Sequence, residues 1–441
     1  MGNYIPVNKR EQEEMLETLG LKSTLELFTD IPQQVVLEEG ALQLPEGKSE
    51  MEVKAYMRSI AKENQVFPVM LRGAGAYRHY IPAIVPYITA KEEFLTAYTP
   101  YQAEISQGIL QSIFEYQTMI CELTGMEVSN ASVYDGASAA AEGIAMCKDR
   151  KRQKALIAGS AHPDVIATIK TYCHGADTPF EIIEEKEGKV SPEALSALLD
   201  NTIACVYLQY PNFYGTFEQT EEMIALAQQA GAKVVLGCNP LALTLYKTPG
   251  EMGADIVVGE GQPLGMPLSY GGPYLGFMAA KEGLTRKLPG RIVGETTDVD
   301  GKRAYVLTLQ AREQHIRREK ASSNICTNQA LCAMTASIYM ATMGPKGMKE
   351  AAMQSFQKAH YFQVQLEKVC GLAPVGQEKF FHEFVTKGEG KREEILSALA
   401  EKGMLGGLPV GEDELLWCVT EVVTKDQLDE AVATIKEVLE K

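Results

Sequence analysis

The stretch from residue 154 to residue 261 decides the fold, because four short apolar runs follow one another there. The runs are KALIAG (154–159), IACVYLQY (203–210), AKVVLGC (232–238) and ADIVVGEG (254–261). Segments with helical spacing, such as TEEMIALAQQAG, separate them. Buried strands that alternate with helices of about ten residues are typical of βαβ units on a mostly parallel sheet. Such sheets bind ligands at the carboxyl ends of their strands, so we expect the functional site there.

The flanking segments have a different character and predict two further domains. Near the start, Asn8 is expected to cap a helix that Gly20 ends. Residues 103–124 carry one apolar stripe at spacings of three and four, which predicts a helix ended by Gly125. After residue 325, two helices precede a strand–helix–strand–helix pattern. We therefore expect an N-terminal helical arm with an irregular segment (1–95), a large α/β domain (96–325) and a small C-terminal α+β domain (326–441).

The composition excludes several classes of partner. With 42 basic and 58 acidic residues, the net charge of −16 argues against binding to nucleic acid or to an anionic membrane. Nine cysteines are scattered without a CxxC pair, and the six histidines show no metal-ligand spacing, which favours a reducing compartment and no metal. The opening MGNYIPVNKREQEEM has no apolar signal core, so we expect a cytoplasmic protein.

The glycine turns do not match the common nucleotide-binding motifs. The chain has no GxxxxGK[ST] motif and no GxGxxG motif after a predicted strand. The turn at Asp135–Ser138 opens a helix whose first amides are suited to a phosphate, although many such turns only connect a strand to a helix.

The alternation, the length and the small C-terminal domain favour the large fold of pyridoxal-phosphate enzymes, in which a lysine bonds the cofactor and an acid holds its ring nitrogen protonated. That lysine is expected just past a late strand of the large domain. No lysine occurs from Thr248 to Ala280. The glycine- and proline-rich run GEGQPLGMPLSYGGPYLG (259–276) is therefore either a surface loop or a vestigial cofactor loop that faces a partner subunit.

Four long strings make the resemblance specific. They are AYTPYQAEISQG (97–108), EYQTMICELTGMEVSNASVYDGASAAAE (115–142), GADIVVGEGQPLGMPLSYGGPYLG (253–276) and REQHIRREKASSNICTNQAL (312–331). The chain resembles, over nearly its whole length, the N-terminal half of glycine decarboxylase P-proteins of the glycine cleavage system. This family occurs as one long chain or as two subunits, and the chain looks like the separate first subunit, the type that lacks the cofactor lysine.

The resemblance implies the type I fold of pyridoxal-phosphate-dependent transferases, with the cofactor held by a lysine-bearing partner in an α2β2 assembly. It implies that the complex decarboxylates glycine and transfers the aminomethyl group to the lipoyl arm of H-protein, and that this chain is inactive alone. Laid over the catalytic half, Gln262 falls at the lost lysine position and Leu236 at the lost aspartate position. His162 overlies the histidine that stacks on the ring, and in a chain without cofactor it is expected to be a structural histidine.

Active sites of this fold lie at subunit interfaces, so side chains of this chain are expected to complete the partner's pocket. One group of candidates lies in the segment YTPYQAEISQG, and the alternative for them is interface packing and helix capping. These candidates are Tyr98, Tyr101, Gln102, Glu104 and Ser106. Arg78 and His79, with Tyr80, form a second group. Arg312, Arg317 and Arg318 are expected on an exposed helix face, with Glu313 paired to Arg317.

Two other functions remain open from the sequence. The chain could be a structural pseudoenzyme that only stabilises its partner. It could also be a self-sufficient pyridoxal-phosphate decarboxylase or transaminase that uses another lysine, such as Lys247, although Lys247 precedes the predicted strand.

Overall fold

The structure is a computed structural model that describes residues 7–37, 41–97, 102–376 and 379–441. It divides into two compact units, one up to Gln65 and one from Val66 to Lys441. Among the described residues, no helix is long and apolar enough to cross a membrane.

The first unit consists of α1 (Lys9–Leu19), α2 (Glu50–Ala61) and short 3₁₀ turns. As predicted, Asn8 caps α1: its side chain accepts from the Glu11 amide while Glu11 reaches back to the Asn8 amide. Gly20 ends α1 with a φ of 69°, a conformation that glycine adopts without strain. No described residue before Val69 is buried, so the described part of this unit forms no hydrophobic core.

The second unit begins with the elements that form and cover the main sheet. In chain order these are β1 (Val69–Met70), α3 (Ile84–Thr89), α4 (Glu92–Leu95), α5 (Gln107–Thr124), β2 (Val128–Ser129), α6 (Gly136–Cys147), β3 (Lys154–Ala158), α7 (Pro163–Gly175), β4 (Phe180–Ile183), α8 (Pro192–Leu198), β5 (Ile203–Tyr210), α9 (Thr220–Gln229), β6 (Lys233–Cys238), α10 (Pro249–Met252), β7 (Ile256–Glu260) and β8 (Gly276–Ala280). A hairpin and the C-terminal elements follow. These are β9 (Val293–Thr297), β10 (Arg303–Leu307), α11 (Gln314–Arg317), α12 (Ala330–Cys370), β11 (Glu383–Lys387), α13 (Arg392–Glu401), β12 (Met404–Leu405), β13 (Leu408–Val410), β14 (Glu414–Cys418) and α14 (Lys425–Leu439).

The main sheet has seven strands in the order β2-β8-β7-β6-β5-β3-β4. β3 to β7 are parallel, and β8 runs antiparallel to β7 and to β2. The four strands predicted from the apolar runs are its central strands, which confirms the α/β class. Side chains alternate between the two faces: Leu208 and Leu236 pack on one, Tyr207 and Val235 on the other.

A smaller antiparallel sheet, β11-β14-β13, lies in the C-terminal part and packs with α12, α13 and α14 around Trp417 and Phe384. The two helices predicted after residue 325 are continuous in α12 except for a kink, where Gly344 has a φ of 59° and Pro345 follows. The three-domain division drawn from the sequence remains a prediction.

Candidate functional site

A cavity of about 290 Å³ lies at the carboxyl ends of β3, β5, β6 and β7, the place that the sequence predicted. The starts of α6 and α7 form one wall. The segment 72–83, called the strap from here on, and Glu383 of β11 form another. The ionisable carboxyl and imidazole groups that line the cavity are Asp135, His162, Asp164, Glu260 and Glu383.

The start of α6 already holds an anion supplied by the chain itself. Glu260 Oε2 accepts from the Gly136 amide at 3.0 Å, and Oε1 accepts from the amides of Gln262 and Leu275 at 3.0 and 2.9 Å. Burial raises the pKa of Glu260 to about 7, and the three amides oppose that rise. The amide that the sequence offered to a phosphate is thus occupied by a carboxylate.

Gln262, at the predicted position of the lost lysine, ties the strap to the main sheet. Its side chain is 1% exposed. Nε2 donates to the carbonyls of Tyr77 and Met266 at 2.9 and 2.7 Å, and Oε1 accepts from the Tyr77 amide at 2.8 Å. Because these bonds need both a donor and an acceptor, an amide suits this position and a lysine does not.

Leu236, at the predicted position of the lost aspartate, packs in the core on the opposite face of the sheet from Tyr207. Its neighbour Gly237 lines the cavity instead. A Cβ atom on Gly237 would collide with the hydroxyl of Tyr207. An acidic side chain therefore has no room at this point of β6, and the assignment of Leu236 remains a prediction.

His162 lines the cavity as the N-cap of α7. Its Nδ1 accepts from the Asp164 amide at 3.1 Å, and its Nε2 lies 2.9 Å from the carbonyl oxygen of Ala74. The ring also meets Phe213 edge-on, with 4.9 Å between centroids. Both ring nitrogens have partners within the chain, which favours the structural role expected from the sequence.

The strap is also fixed by a buried carboxylate from the C-terminal part. Glu383 accepts from the Ala74 amide at 2.6 Å and from the Tyr77 hydroxyl at 2.7 Å. Burial raises the pKa of Glu383 to about 7. The Tyr77 pKa is raised well above its usual value, first by burial and then by the Glu383 charge. The strap is thus a structured wall of the cavity.

In the second candidate group, His79 faces the interior of the protein and Arg78 faces solvent. His79 is buried, and its Nδ1 lies 2.7 Å from Glu421 Oε2, while Glu421 also accepts from the Tyr80 amide at 2.6 Å. The Glu421 pKa is lowered despite burial, because His79 and backbone amides stabilise its charge. Arg78 is exposed and donates to the Pro68 carbonyl at 2.7 Å. Of the two, Arg78 is the one that a partner can reach.

The first candidate group lies elsewhere, in a turn before α5. Tyr98 and Tyr101 lie outside the described residues. The amides of Ile105 and Ser106 both donate to the Gln102 carbonyl, and the side chains of Gln102 and Glu104 are exposed. Ser106 is the N-cap of α5 without a side-chain capping bond. This turn, residues 102–106, therefore presents its polar side chains outward.

Gln107 fixes the turn to the β9–β10 hairpin. Its Nε2 donates to the carbonyls of Ala103 and Tyr305 at 2.7 and 2.9 Å, and its Oε1 accepts from the Tyr305 amide at 2.8 Å. The direction of the turn is thus set by the main body of the second unit.

The predicted pair of Glu313 with Arg317 is wrong. Glu313 is buried and pairs with Arg291, and Arg312 donates to the carbonyls of Leu288 and Gly290. The local helix covers only Gln314–Arg317, so Glu313 precedes it as the N-cap and its carboxylate turns inward to a buried guanidinium. Arg317 and Arg318 are exposed, as expected.

Lys247, the alternative lysine, lies on the surface, where it pairs with Glu221 at 2.8 Å. It is not one of the residues that line the cavity in the described part of the chain. Within the same residues, no group of three histidine, cysteine, aspartate or glutamate side chains is placed to hold a metal ion.

Sequence reasoning missed Glu260, Glu383 and Glu421, the carboxylates that organise the cavity and the strap. Glu260 left a usable signal, because it is an acidic residue at the carboxyl end of an apolar strand, between two glycines. Glu383 and Glu421 left none, since their partners in the strap lie more than 300 residues away.

Comparison with known proteins agrees with the family resemblance seen in the sequence. The family described as glycine cleavage system P-protein matches residues 2–435. The chain is 47% identical to the probable glycine dehydrogenase (decarboxylating) subunit 1 of Desulfitobacterium hafniense, covering 99% of this chain and 100% of that one. It is 48% identical to the protein of the same description from Moorella thermoacetica, covering 99% of each.

Among solved structures, a glycine decarboxylase (P-protein) in inhibitor-bound form superposes with a TM-score of 0.92 at 40% identity, covering 99% of this chain and 100% of that one. An aspartate aminotransferase from Thermus thermophilus matches with a TM-score of 0.61 at 14% identity, over 84% and 99% of the two chains. The second likeness concerns the fold alone, and together they confirm the type I fold of pyridoxal-phosphate enzymes.

Proposed function

The chain belongs to the glycine cleavage system P-protein family, and from this premise we propose that it completes a cofactor site held by its partner rather than holding one itself. It is a component of glycine dehydrogenase (decarboxylating). The proposal concerns the division of labour: the partner subunit binds pyridoxal phosphate, and this chain supplies side chains at the interface.

Three features of the cavity argue that pyridoxal phosphate does not fit this chain. Glu260 already uses the Gly136 amide, and its carboxylate would repel a phosphate. Gln262 stands at the predicted lysine position and is bonded to the strap. Tyr207 leaves no room for an acid at Gly237. The occupied start of α6 is the observation that carries the proposal, because it is independent of any alignment.

The turn at 102–106 is the part of the chain best suited to reach a partner. Gln102 and Glu104 are exposed, and within the described residues their side chains make no hydrogen bond. An amide can hold a glycine carboxylate, and a carboxylate can hold an ammonium group or a proton. Gln107 holds the backbone of the turn in place, so the positions of these two residues are set before substrate arrives.

Pyridoxal phosphate, when bound by the partner, supplies the electron sink for the loss of CO₂ from glycine. We assign to this chain the orientation of glycine, through Gln102, Glu104 and Ser106, with Arg78 as a second contact. The acceptor of the aminomethyl group is taken to be the lipoyl arm of H-protein, and the assembly an α2β2 heterotetramer. All nine cysteines are free thiols, which fits a reducing cytoplasm.

Glycine-dependent exchange of labelled CO₂ tests the proposal, with H-protein present. The assay is run on this chain alone, on the partner alone and on the mixture. We expect exchange only in the mixture, and borohydride fixation of cofactor only on the partner. Exchange by this chain alone, or cofactor fixed on it in stoichiometric amount, would refute the division of labour.

A further inference from the structure

Two polar groups of residues that line the cavity have no hydrogen-bond partner among the described residues, the hydroxyl of Tyr207 and Nδ2 of Asn239. Tyr207 lies on β5, is 2% exposed and lines the cavity. Its Oη makes no hydrogen bond to any described residue, whereas Glu260, Glu383 and His162 are all bonded within the chain. Because Tyr207 borders the cavity, the occupant of the cavity is the remaining hydrogen-bond partner for this hydroxyl, which points to a polar ligand.

The charge around the cavity selects the sign of that ligand. Asp135, Asp164, Glu260 and Glu383 line it, and no lysine or arginine does so within the described residues. His162 adds no free donor, because Nδ1 accepts an amide hydrogen and Nε2 faces the Ala74 carbonyl. A concave site with acidic groups of one sign concentrates cations and repels anions.

The aromatic side chains in the wall suit the same class of ligand. Tyr77 and Tyr274 line the cavity beside the carboxylates. Aromatic faces attract ammonium groups, more strongly where water is excluded. Asp164 is exposed near the start of α7, which leaves a charged group on the solvent side. The volume of about 290 Å³ admits a molecule of a few heavy atoms.

We propose that this cavity binds a small primary ammonium compound, which donates a hydrogen bond to Tyr207 Oη while the surrounding carboxylates balance its charge. The proposed function assigns no ligand to this cavity, so the inference goes beyond it. It also holds or fails without the partner, because binding is measured on this chain alone.

Three two-carbon probes of similar size separate charge from shape. Ethanolamine is cationic at pH 8, ethylene glycol is neutral and glycolate is anionic, and at this pH both Glu260 and Glu383, with pKa values of about 7, are mostly ionised. Titration calorimetry or ligand-observed NMR on the full chain, at constant ionic strength, measures each affinity. We expect ethanolamine to bind about tenfold more tightly than ethylene glycol, and glycolate not to bind. Equal binding of the three, or preference for glycolate or glycine, would overturn the proposal.

Two variants locate the probe. Tyr207→Phe removes only the unpartnered hydroxyl and is expected to weaken ethanolamine binding about three- to tenfold with no loss of thermal stability. Glu383→Gln keeps the size of the side chain and removes its charge, and is expected to weaken binding at least as much. Glu394→Gln, on the exposed face of α13, is the matched control and leaves the affinity unchanged. An unchanged affinity in both cavity variants would place the probe elsewhere and refute the site.

Discussion

The cavity and the turn at 102–106 differ in how their polar groups are used. In the cavity, Glu260 and Glu383 are bonded to backbone amides of the same chain, and beside it Gln262 is bonded to backbone amides and carbonyls. In the turn, Gln102 and Glu104 point outward without partners among the described residues. Groups already bonded inside the fold have fewer hydrogen bonds left to offer a substrate, whereas exposed groups keep theirs.

This difference underlies the proposed role of the turn in orienting glycine. The cavity lies at the carboxyl ends of the strands, where sheets of this class bind ligands, but its hydrogen bonds hold the strap. The turn has no enclosed site of its own and is fixed through Gln107. The comparison therefore predicts large effects on activity from the turn, and effects on stability from the cavity.

The largest effect is expected from the turn. The double variant Gln102→Ala and Glu104→Gln removes two candidate contacts to glycine without touching the Gln107 anchor. Since a hydrogen bond to a charged group contributes about 1.5–3 kcal/mol, turnover of the assembled enzyme should fall about ten- to a hundredfold. Steady-state kinetics of CO₂ exchange measures the loss.

Glu122→Gln is the control for this pair, because Glu122 is exposed on α5 beyond the turn. Size-exclusion chromatography shows whether the complex still forms. If the double variant assembles and keeps full turnover, the turn only packs in the interface. That result would support the alternative in which this chain is a structural pseudoenzyme that stabilises its partner.

A smaller effect is expected from Gln262, on stability rather than on chemistry. Gln262→Met keeps the length of the side chain and leaves the Tyr77 amide and carbonyl unbonded in a buried place. The free energy of unfolding should fall by about 1–3 kcal/mol in urea denaturation. Gln262→Lys should also be destabilised and should not gain covalently bound cofactor, since Glu260 still blocks the start of α6. A stable Gln262→Lys variant that binds the cofactor would show that one residue alone separates this cavity from a catalytic one.

The central sheet was predictable because its signal is local. The runs 203–210 and 232–238 are apolar, short and bounded by helices, and they form β5 and β6. The caps at Asn8 and Gly125 were likewise predictable from single residues. β8 and the β9–β10 hairpin were not predicted: GFMAA in β8 is short and follows a glycine-rich run, and β9, the first strand of the hairpin, is largely polar.

For the cavity, the sequence predicted the position in the fold and the protein family, but not the side-chain contacts. Its place at the strand ends follows from the fold class, and the missing lysine is visible in the sequence. The contacts made at Gln262 and around the strap join distant segments of the chain. The bond from Glu383 to Ala74 spans 309 residues, and Gln262 reaches Tyr77 over 185. A single sequence contains no local pattern for such pairs.

The smallest effect is expected from pH, and it sharpens the view that the cavity carboxylates are structural. Burial raises the pKa of Glu383 to about 7 in the folded chain, above the usual value of about 4.3 in an unfolded chain. Between these values the folded state binds more protons, so the free energy of unfolding falls as the pH rises from about 4.3 to about 7. One such proton changes the slope by at most about 1.4 kcal/mol per pH unit. Glu383→Gln cannot titrate and should flatten the decline in urea denaturation between pH 5 and pH 7. The exposed Glu394→Gln variant should keep the pH dependence of the parental chain. If the free energy of unfolding has the same slope with pH in both variants, Glu383 is ionised across this range and the strap is held by a full charge.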